Sequence, residues 1–330
     1  MAGELDRAMG RLKHRDIRTR RRAVRTLVEL EDPESLKAFK SLLNDEDPWF
    51  VSKALDAYRR WAPIVGLEAV EDLTAHSSVN VRRCGANLLD SLGEDGISTA
   101  TFMLDDGDSV VRRKAADALL AHGDTEAIEA MHRNANDAIR SLAMRHQSCS
   151  KEQLLNGLKD TSNTVQIEAL RALLNRNEAV EVSAVMPFFS VQSETVKLFL
   201  WVAKHHPSSL PILAEKLGPQ HFHHITKHLR TNVENSNDVL IDTLLEANMH
   251  SIVARWLMGK GPKEDELRWE MIGNENVDII ERSKLLERLL GRANEPELQV
   301  HVENFMASNP PDLLKVACEN LSTAANELSS

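Results

Sequence analysis

The chain has 330 residues, of which 42% are hydrophobic and only 4% are aromatic. This composition provides enough apolar surface for a core, whereas the scarcity of aromatic residues argues against a β-sandwich. Lys and Arg number 40 and Asp and Glu number 50, so the formal charge is −10. Such a charge argues against a protein that binds nucleic acid over its whole surface.

The cysteines and the apolar stretches bear on the cellular compartment. Cys84, Cys149 and Cys318 lie far apart and form no C-x-x-C pair, which favours reduced thiols. The amino-terminal residues have no apolar run typical of a secretory signal, and no apolar stretch of the chain is long enough to span a bilayer. We therefore expect a soluble cytoplasmic protein.

In chain order, the first recurring element is a helix that carries a small residue near its centre. In residues 111–120, the apolar side chains fall at i, i+4, i+7 and i+8, which is one stripe of an α-helix. The small residue recurs at intervals of 31, 31, 30, 28 and 26 residues, and we call these positions the small-residue column: Ala23, Ala54, Gly85, Ala115, Ala143 and Ala169. Such a position lets a neighbouring helix pack against the backbone, and periodicity of this length indicates a helical repeat array.

A second helix is predicted between successive copies. Its clearest versions are residues 33–43, 66–73 and 125–131, and Pro33 suits a first helical turn because its missing N–H has no partner there. The acidic segments 44–48 and 105–108 are predicted to be turns. Each unit is therefore a pair of helices that buries its apolar face only by stacking on its neighbours.

Units of about thirty residues, in which an acidic turn precedes V-R-x-x-A-x-x-A-L, resemble HEAT repeats, particularly the short HEAT-like repeats named after phycobilin lyases. The resemblance covers roughly residues 10–175 and is strongest over residues 111–120. It implies an all-α, right-handed superhelical α-solenoid of HEAT-like helix pairs, whose V-R-x-x-A helices line the concave side. It also implies that an Asp six residues before the arginine pairs with it. Asp106 and Arg112 fit this rule, whereas each of the other copies lacks one of the two residues.

The pattern loosens after residue 175 but remains helical. We expect residues 1–175 to form regular HEAT-like repeats and residues 176–330 to form divergent helical repeats and a C-terminal cap, continuous with the first part. Residues 194–201 resemble a seventh copy in which Leu200 replaces the small residue.

Arginines precede the small-residue column in two aligned positions. The first arginine column, three residues before the small residue, is Arg20, Arg82, Arg112 and Arg140, and the second, two residues before it, is Arg21, Arg83 and Arg113. With Arg22, from an amino-terminal segment in which nine basic residues face four acidic ones over residues 1–30, they form a candidate partner-binding surface that we call the arginine ridge. The alternative is that the first column only ties neighbouring units together and that the amino-terminal charges are a solvated face.

Other residues that carry chemistry are better explained by structural roles. His221, His224 and His228 share one side of a predicted helix, but no Cys lies nearby and no H-E-x-x-H motif is formed, so we expect no metal site. The five tryptophans (Trp49, Trp61, Trp201, Trp256 and Trp269) are expected mainly in the core. The chain has no phosphate-binding glycine loop and no nucleophile-elbow motif, and it lacks the His-Glu dipeptides typical of HEAT-like di-iron hydroxylases. We therefore predict no catalytic residue and no cofactor.

The sequence thus favours a non-catalytic scaffold or adaptor that binds a macromolecule, most simply a protein, along the concave face of the solenoid. One alternative is nucleic-acid binding through the arginine ridge, resembling the HEAT-like alkylpurine DNA glycosylases. Another is an enzyme that resembles the chromophore lyases. The partner and the oligomeric state are left open.

Overall fold

The computed structural model of the chain describes residues 2–191 and 193–329. The chain forms two compact units, Met1–Leu173 and Leu174–Ser330. The described residues form helices and connecting turns and contain no strand. The predicted fold class is confirmed: the fold is an all-α solenoid of stacked helix pairs.

The described residues up to Asn175 form twelve α-helices. They are α1 (Ala2–Arg11), α2 (Ile17–Glu29), α3 (Leu36–Phe39), α4 (Pro48–Val65), α5 (Leu67–Thr74), α6 (Val79–Leu88), α7 (Ile97–Met103), α8 (Ser109–His122), α9 (Thr125–Arg133), α10 (Asp137–Ala143), α11 (Lys151–Gly157) and α12 (Asn163–Asn175). Short 3₁₀ segments connect some of them, at Pro33–Ser35, Lys40–Asn44 and Leu89–Gly96.

The helices of the first unit form two layers. The even-numbered helices carry the small-residue column, and consecutive ones pack against each other from α2 to α10. The odd-numbered helices form the other layer, in which α5 packs against α7 and α7 against α9. Each odd-numbered helix from α1 to α9 also packs against the even-numbered helix that follows it. The helix-pair unit predicted from the repeat is therefore confirmed.

The small-residue column lies where helices approach most closely. All six of its members are buried, as predicted. At Gly85 the approach excludes even a methyl group, because an added Cβ would lie 2.9 Å from the Cβ of Leu73 and 3.2 Å from the backbone nitrogen of Thr74. The glycine of this copy thus lets α5 and α6 pack backbone against backbone.

The same turn precedes each even-numbered helix from α2 to α12. A side chain in this turn accepts a hydrogen bond of 2.8 to 3.0 Å from the backbone N–H two residues further along the chain. We call these side chains the turn acceptors: His14, Asp45, His76, Asp106, Asn134 and Asp160. The N-cap residues of α2, α4, α8 and α10, which follow such acceptors, bind free N–H groups at the start of their helices, as Asp108 does for Val110 and Val111 of α8.

The helix predicted over residues 33–43 differs from the prediction. Residues 33–43 form one short α-helix, α3, between two 3₁₀ segments. Leu36, Phe39 and Leu42 are buried there and follow one another at intervals of three residues. A 3₁₀ helix has three residues per turn and brings such side chains onto one face, which explains why this segment does not form a regular α-helix.

The second unit contains a comparable stack. Its helices are α13 (Val182–Val185), α14 (Thr195–His205), α15 (Leu210–Ala214), α16 (Pro219–Asn232), α17 (Val239–Glu246), α18 (His250–Leu257), α19 (Asp265–Gly273), α20 (Ile279–Glu287), α21 (Pro296–Ala307) and α22 (Asp312–Ser329). Consecutive even-numbered helices from α14 to α22 pack against each other. Two tryptophans repeat one contact at the same separation: the indole of Trp201 donates to the carbonyl of Glu178, and that of Trp256 donates to the carbonyl of Val233.

The register predicted for the seventh copy is wrong. Leu200 is only partly buried, whereas Leu198, Phe199 and Val202 are fully buried. The amphipathic pattern of residues 194–201 is ambiguous because it has no small residue to fix which side chain meets the neighbouring helix.

Candidate partner-binding face

The first arginine column reaches forward to the turn of the next helix pair. Arg82 forms a bidentate ion pair with Asp106, at 2.7 Å from Nε to Oδ2 and 3.1 Å from Nη2 to Oδ1. Arg140 binds Asp160 in the same way at 2.8 and 2.9 Å, and Arg20 pairs with Asp45. Each pair joins an even-numbered helix to a turn acceptor of the following pair. This geometry favours the interpretation that these three arginines tie neighbouring pairs together.

The expected pairing of Arg112 with Asp106 is wrong, because the carboxylate of Asp106 is occupied by Arg82. Arg112 instead donates from Nη1 to the backbone carbonyl of Asp106 at 2.6 Å. The acceptor of the next turn is Asn134, a neutral residue whose amide donates to Asp105. Among the residues that the structure describes, Arg112 therefore meets no carboxylate, unlike the other three arginines of its column.

These ion pairs are well protected and shift the titration of their carboxylates. The side chain of Asp106 is 10% exposed. The hydrogen bonds from Arg82 lower the pKa of Asp106 below its ordinary value, although burial opposes this effect. Arg140 lowers the pKa of Asp160 for the same reason. Both carboxylates are thus held in their charged form.

The second arginine column is more exposed. Arg83 donates from Nε and Nη2 to the N-cap Asp108 at 2.9 and 2.7 Å, and Arg21 donates to the N-cap Asp47 at 3.0 Å. Arg113 has no aspartate ahead of it and pairs with Asp117 of its own helix at 2.9 Å. The side chains of Arg83 and Arg113 are 42% and 58% exposed, so both are accessible to a partner.

Helix α2 carries a separate stripe of exposed arginines. Arg18, Arg22 and Arg25 are spaced by four and three residues and therefore share one side of the helix. None of them forms an ion pair with a described residue. The ridge member Arg22 thus differs from Arg20 and Arg21, which are both bound to aspartates of the next turn.

A row of apolar side chains runs beside the second arginine column. Ile17, Val79 and Val110 are 43%, 37% and 42% exposed at the starts of α2, α6 and α8. Trp49 takes the same place on α4 and is half-buried, with the guanidinium of Arg21 at 5.1 Å from its ring centre. Each of the three aliphatic side chains lies three or four residues before a second-column arginine, so both share one side of the helix. We call this set, Ile17, Trp49, Val79 and Val110, the apolar row.

A groove of about 540 Å³ separates α4 from α6 on this side of the unit. Its α4 wall includes Val51 and Leu55, and its α6 wall includes Arg83 and Asn87. The thiol of Cys84 also lines it, but burial raises the pKa of that thiol, so it is kept protonated. The groove thus offers an apolar wall and a polar wall to a ligand.

The histidine cluster lies on α16 of the second unit. His221 accepts a hydrogen bond at its Nδ1 from the backbone N–H of Gly218 at 3.1 Å, so this nitrogen is already used at the start of the helix. Among residues 2–191 and 193–329, no group of three or more His, Cys, Asp or Glu side chains is arranged to hold a metal ion. The expected lack of zinc at His224 and His228 stays a prediction, which a metal analysis of the untagged protein tests.

Three of the five tryptophans have the expected core role, since Trp61, Trp201 and Trp256 are buried. Trp49 and Trp269 are only partly buried. Trp269 stacks on the imidazole of His301 with ring centres 5.3 Å apart, whereas Trp49 belongs to the apolar row. Trp49 is therefore the tryptophan of the first unit that a partner can reach.

Comparison with known proteins supports the repeat assignment. Residues 5–83 match the family model of the HEAT repeats. No curated protein matches the chain. No helix within the described ranges combines the length and the apolar character needed to cross a membrane.

Three solved structures are similar to the chain. One is an engineered protein with 16% identity and a TM-score of 0.35, and the match covers 98% of both chains. The second is YibA of Escherichia coli, with 13% identity and a TM-score of 0.38 over 73% of this chain and 91% of that one. The third is another engineered protein, with 20% identity and a TM-score of 0.27 over 76% of this chain and 97% of that one.

Proposed function

We propose that this protein is a non-catalytic adaptor that binds a segment of a partner protein along α2, α4, α6 and α8, and the match of residues 5–83 to the family model of the HEAT repeats supports this proposal. The observation that carries this proposal is the apolar row, which runs beside the second arginine column. A protein segment offers both apolar side chains and carboxylates, whereas a nucleic-acid backbone offers phosphates without apolar side chains. A surface that combines the two therefore fits a protein best.

Arg83 and Arg112 both have N–H groups that can bind a ligand. Arg83 uses Nε and Nη2 for Asp108, so its Nη1 group is left to donate outwards. Arg112 meets no carboxylate among the described residues, and a ligand carboxylate would supply the charge that Asp45, Asp106 and Asp160 supply to the other arginines of its column. Arg20, Arg82 and Arg140 are proposed to hold the turns that position this surface.

The test is an affinity capture from the native lysate with wild-type protein and with a Val79→Ser, Val110→Ser variant. Serine removes the apolar contact at two exposed positions, so the fold is expected to persist. Phe102→Ser is a matched control, because Phe102 is 76% exposed but lies on α7 in the other helix layer. We expect the same protein partner with the wild type and the control, both with and without nuclease, and its loss with the double variant.

Two outcomes would overturn the proposal. A partner that is captured equally by the Val79→Ser, Val110→Ser variant does not use the apolar row. A partner that disappears after nuclease treatment binds through nucleic acid. Melting temperatures of the three proteins establish that a lost partner does not reflect unfolding.

A second candidate function, nucleic-acid binding, is favoured by the unpaired stripe Arg18, Arg22 and Arg25. Guanidinium groups without carboxylate partners can bind phosphates, and such binding weakens steeply with salt. Short duplex and single-stranded oligonucleotides, titrated at low and physiological salt, test this function. Nucleic-acid binding would replace protein binding as the favoured function if two results are obtained. Micromolar binding at physiological salt must be lost in an Arg18→Ala, Arg22→Ala, Arg25→Ala variant, and it must be kept in an Arg83→Ala, Arg113→Ala variant.

A further inference from the structure

A groove of about 800 Å³ lies in the second unit, between α14 and α16. It belongs to a different unit from the proposed partner-binding face and is independent of it. Its α14 wall presents Val196, Lys197 and Leu200, and its α16 wall presents His224, Lys227 and His228.

Every charged side chain that lines this groove is basic. Lys197 comes from one wall and Lys227 from the other, and no Asp or Glu is among the lining residues. The ammonium of Lys197 reaches only the neutral amide of Asn175, at 3.4 Å, and Lys227 forms no ion pair with a described residue. On a protein with a formal charge of −10, two lysines without carboxylate partners at one groove indicate an anionic ligand.

The histidines add hydrogen-bond donors at the same wall. The side-chain nitrogen of Asn232 lies 3.3 Å from Nδ1 of His228 and donates to the backbone carbonyl of His228 at 2.8 Å. Every imidazole carries at least one N–H group that can donate a hydrogen bond. His224 is one helical turn away and therefore on the same side of α16. This wall consequently provides an ammonium group and imidazole N–H groups, all of which suit carboxylate oxygens.

The remaining lining indicates what the anion is attached to. Val196 and Leu200 are partly buried and give the α14 wall an apolar surface. Apart from the two imidazoles, no aromatic ring lines the groove, so it has no obvious platform for stacked bases. The groove is also far larger than a single inorganic anion requires.

From this arrangement we propose that the groove between α14 and α16 binds an acidic peptide segment of a protein partner. Carboxylates of the segment meet Lys197 and Lys227, and its apolar side chains cover Val196 and Leu200. The donor groups of His224 and His228 bind further oxygens of the same segment.

The experiment uses the full chain and a short fluorescent peptide of alternating glutamate and leucine. The variant Lys197→Gln, Lys227→Gln removes both charges of the groove but keeps a flexible polar side chain at each position. Lys263→Gln, Lys284→Gln is the matched control, since it removes the same charge from exposed positions elsewhere in the second unit. A peptide with glutamine in place of glutamate tests the need for carboxylates, and inorganic phosphate and a short oligonucleotide serve as competitors.

We expect the acidic peptide to bind the wild type and the control, and the groove variant to weaken binding by about tenfold or more. Imidazole resonances of His224 and His228 are expected to shift when the peptide is added. Equal binding of the peptide to the groove variant, or equal binding of the glutamine peptide to the wild type, would overturn the proposal. Displacement of the peptide by the oligonucleotide at lower concentration than by unlabelled peptide would assign the groove to nucleic acid instead.

Discussion

Replacing Gly85 by alanine adds a methyl group where the neighbouring helix already lies. The new Cβ would be 2.9 Å from the Cβ of Leu73, 3.0 Å from Cγ2 of Thr74 and 3.2 Å from the Thr74 nitrogen. Carbon atoms in contact prefer a separation of about 3.5–4.0 Å, so α5 must move away from α6 by roughly 0.5–1 Å. The Cβ of Leu73 and the nitrogen of Thr74 are fixed to the backbone, and no side-chain rotation relieves these contacts.

The expected loss of stability follows from two opposing effects. Overpacking typically costs about 1–3 kcal/mol, and the upper part of that range applies because the backbone must move. Alanine recovers about 1 kcal/mol of helix propensity relative to glycine. The net expectation for Gly85→Ala is therefore a decrease of about 0.5–2 kcal/mol in the free energy of unfolding.

Urea unfolding followed by circular dichroism measures this change, and Gly10→Ala is its control. Gly10 also lies in a helix, α1, but a Cβ there would meet nothing within 4 Å. Alanine at Gly10 is therefore expected to leave the stability unchanged or to raise it slightly. If Gly85→Ala unfolds at the same urea concentration as the wild type or at a higher one, the backbone contact between α5 and α6 is refuted.

In the small-residue column, Ala115→Leu is expected to destabilise by about 1–3 kcal/mol and the partly buried Ala130→Leu by much less, and equal melting temperatures would contradict the register. Asp106→Asn weakens the bond to Arg82 and is expected to cost about 1–3 kcal/mol near neutral pH. Because the pKa of Asp106 is lowered in the folded state, this cost should shrink as the pH falls through 3.8 and below. A cost that does not depend on pH would contradict the ion pair between Asp106 and Arg82. Burial lowers the pKa of His132, whose ring nitrogens have no hydrogen-bond partner among the described residues. Wild-type stability should therefore fall as the pH drops below 6.5, and His132→Leu should weaken this dependence in urea titrations across that range.

The parts of the fold that were predicted correctly are those that local spacing determines. Ala54 and Ala115 are recognisable because each lies between apolar residues four positions away on either side, which is a signal within one helix. Their burial follows directly from that pattern. The helix pairs were predictable for the same reason, since the amphipathic period of a helix is likewise a signal within one helix.

The partners of the arginines could not be predicted in this way. Arg82 and its partner Asp106 are 24 residues apart, and Arg140 and Asp160 are 20 residues apart. They become neighbours only after the helix pairs have stacked. Because the repeat length varies, the number of residues between an arginine and its aspartate varies as well, although the aspartate always lies in the turn of the next pair. An alignment of the repeats by their turn acceptors, instead of by a fixed distance before the arginine, would have revealed the partners.

The candidate site likewise has one part that could be predicted from local spacing and another part that could not. The second arginine column was recognisable from the repeat, but the apolar row beside it was not, because Val79 and Val110 lie outside the buried stripe to which their neighbours Val81 and Val111 belong. Exposed valines of this kind are recognised only when stacking places them side by side. The groove between α14 and α16 depends likewise on a packing arrangement that the loosened pattern after residue 175 did not reveal.

The ion pairs between consecutive helix pairs have a mechanical consequence, because they alternate along the first unit. They link α2 to the turn before α4, α6 to the turn before α8, and α10 to the turn before α12. At the two remaining junctions the corresponding residues are Val51 with His76 and Arg112 with Asn134, which form no such pair in the described chain. There the successive turns are joined by single hydrogen bonds instead, between His76 and Asn44 and from Asn134 to Asp105. The unit is therefore expected to bend as three stiff doublets, with its flexing concentrated between α4 and α6 and between α8 and α10. The groove beside Val51 lies at the first of these compliant junctions. A ligand bound there would therefore contact both α4 and α6 and reversibly restrict the bending between them.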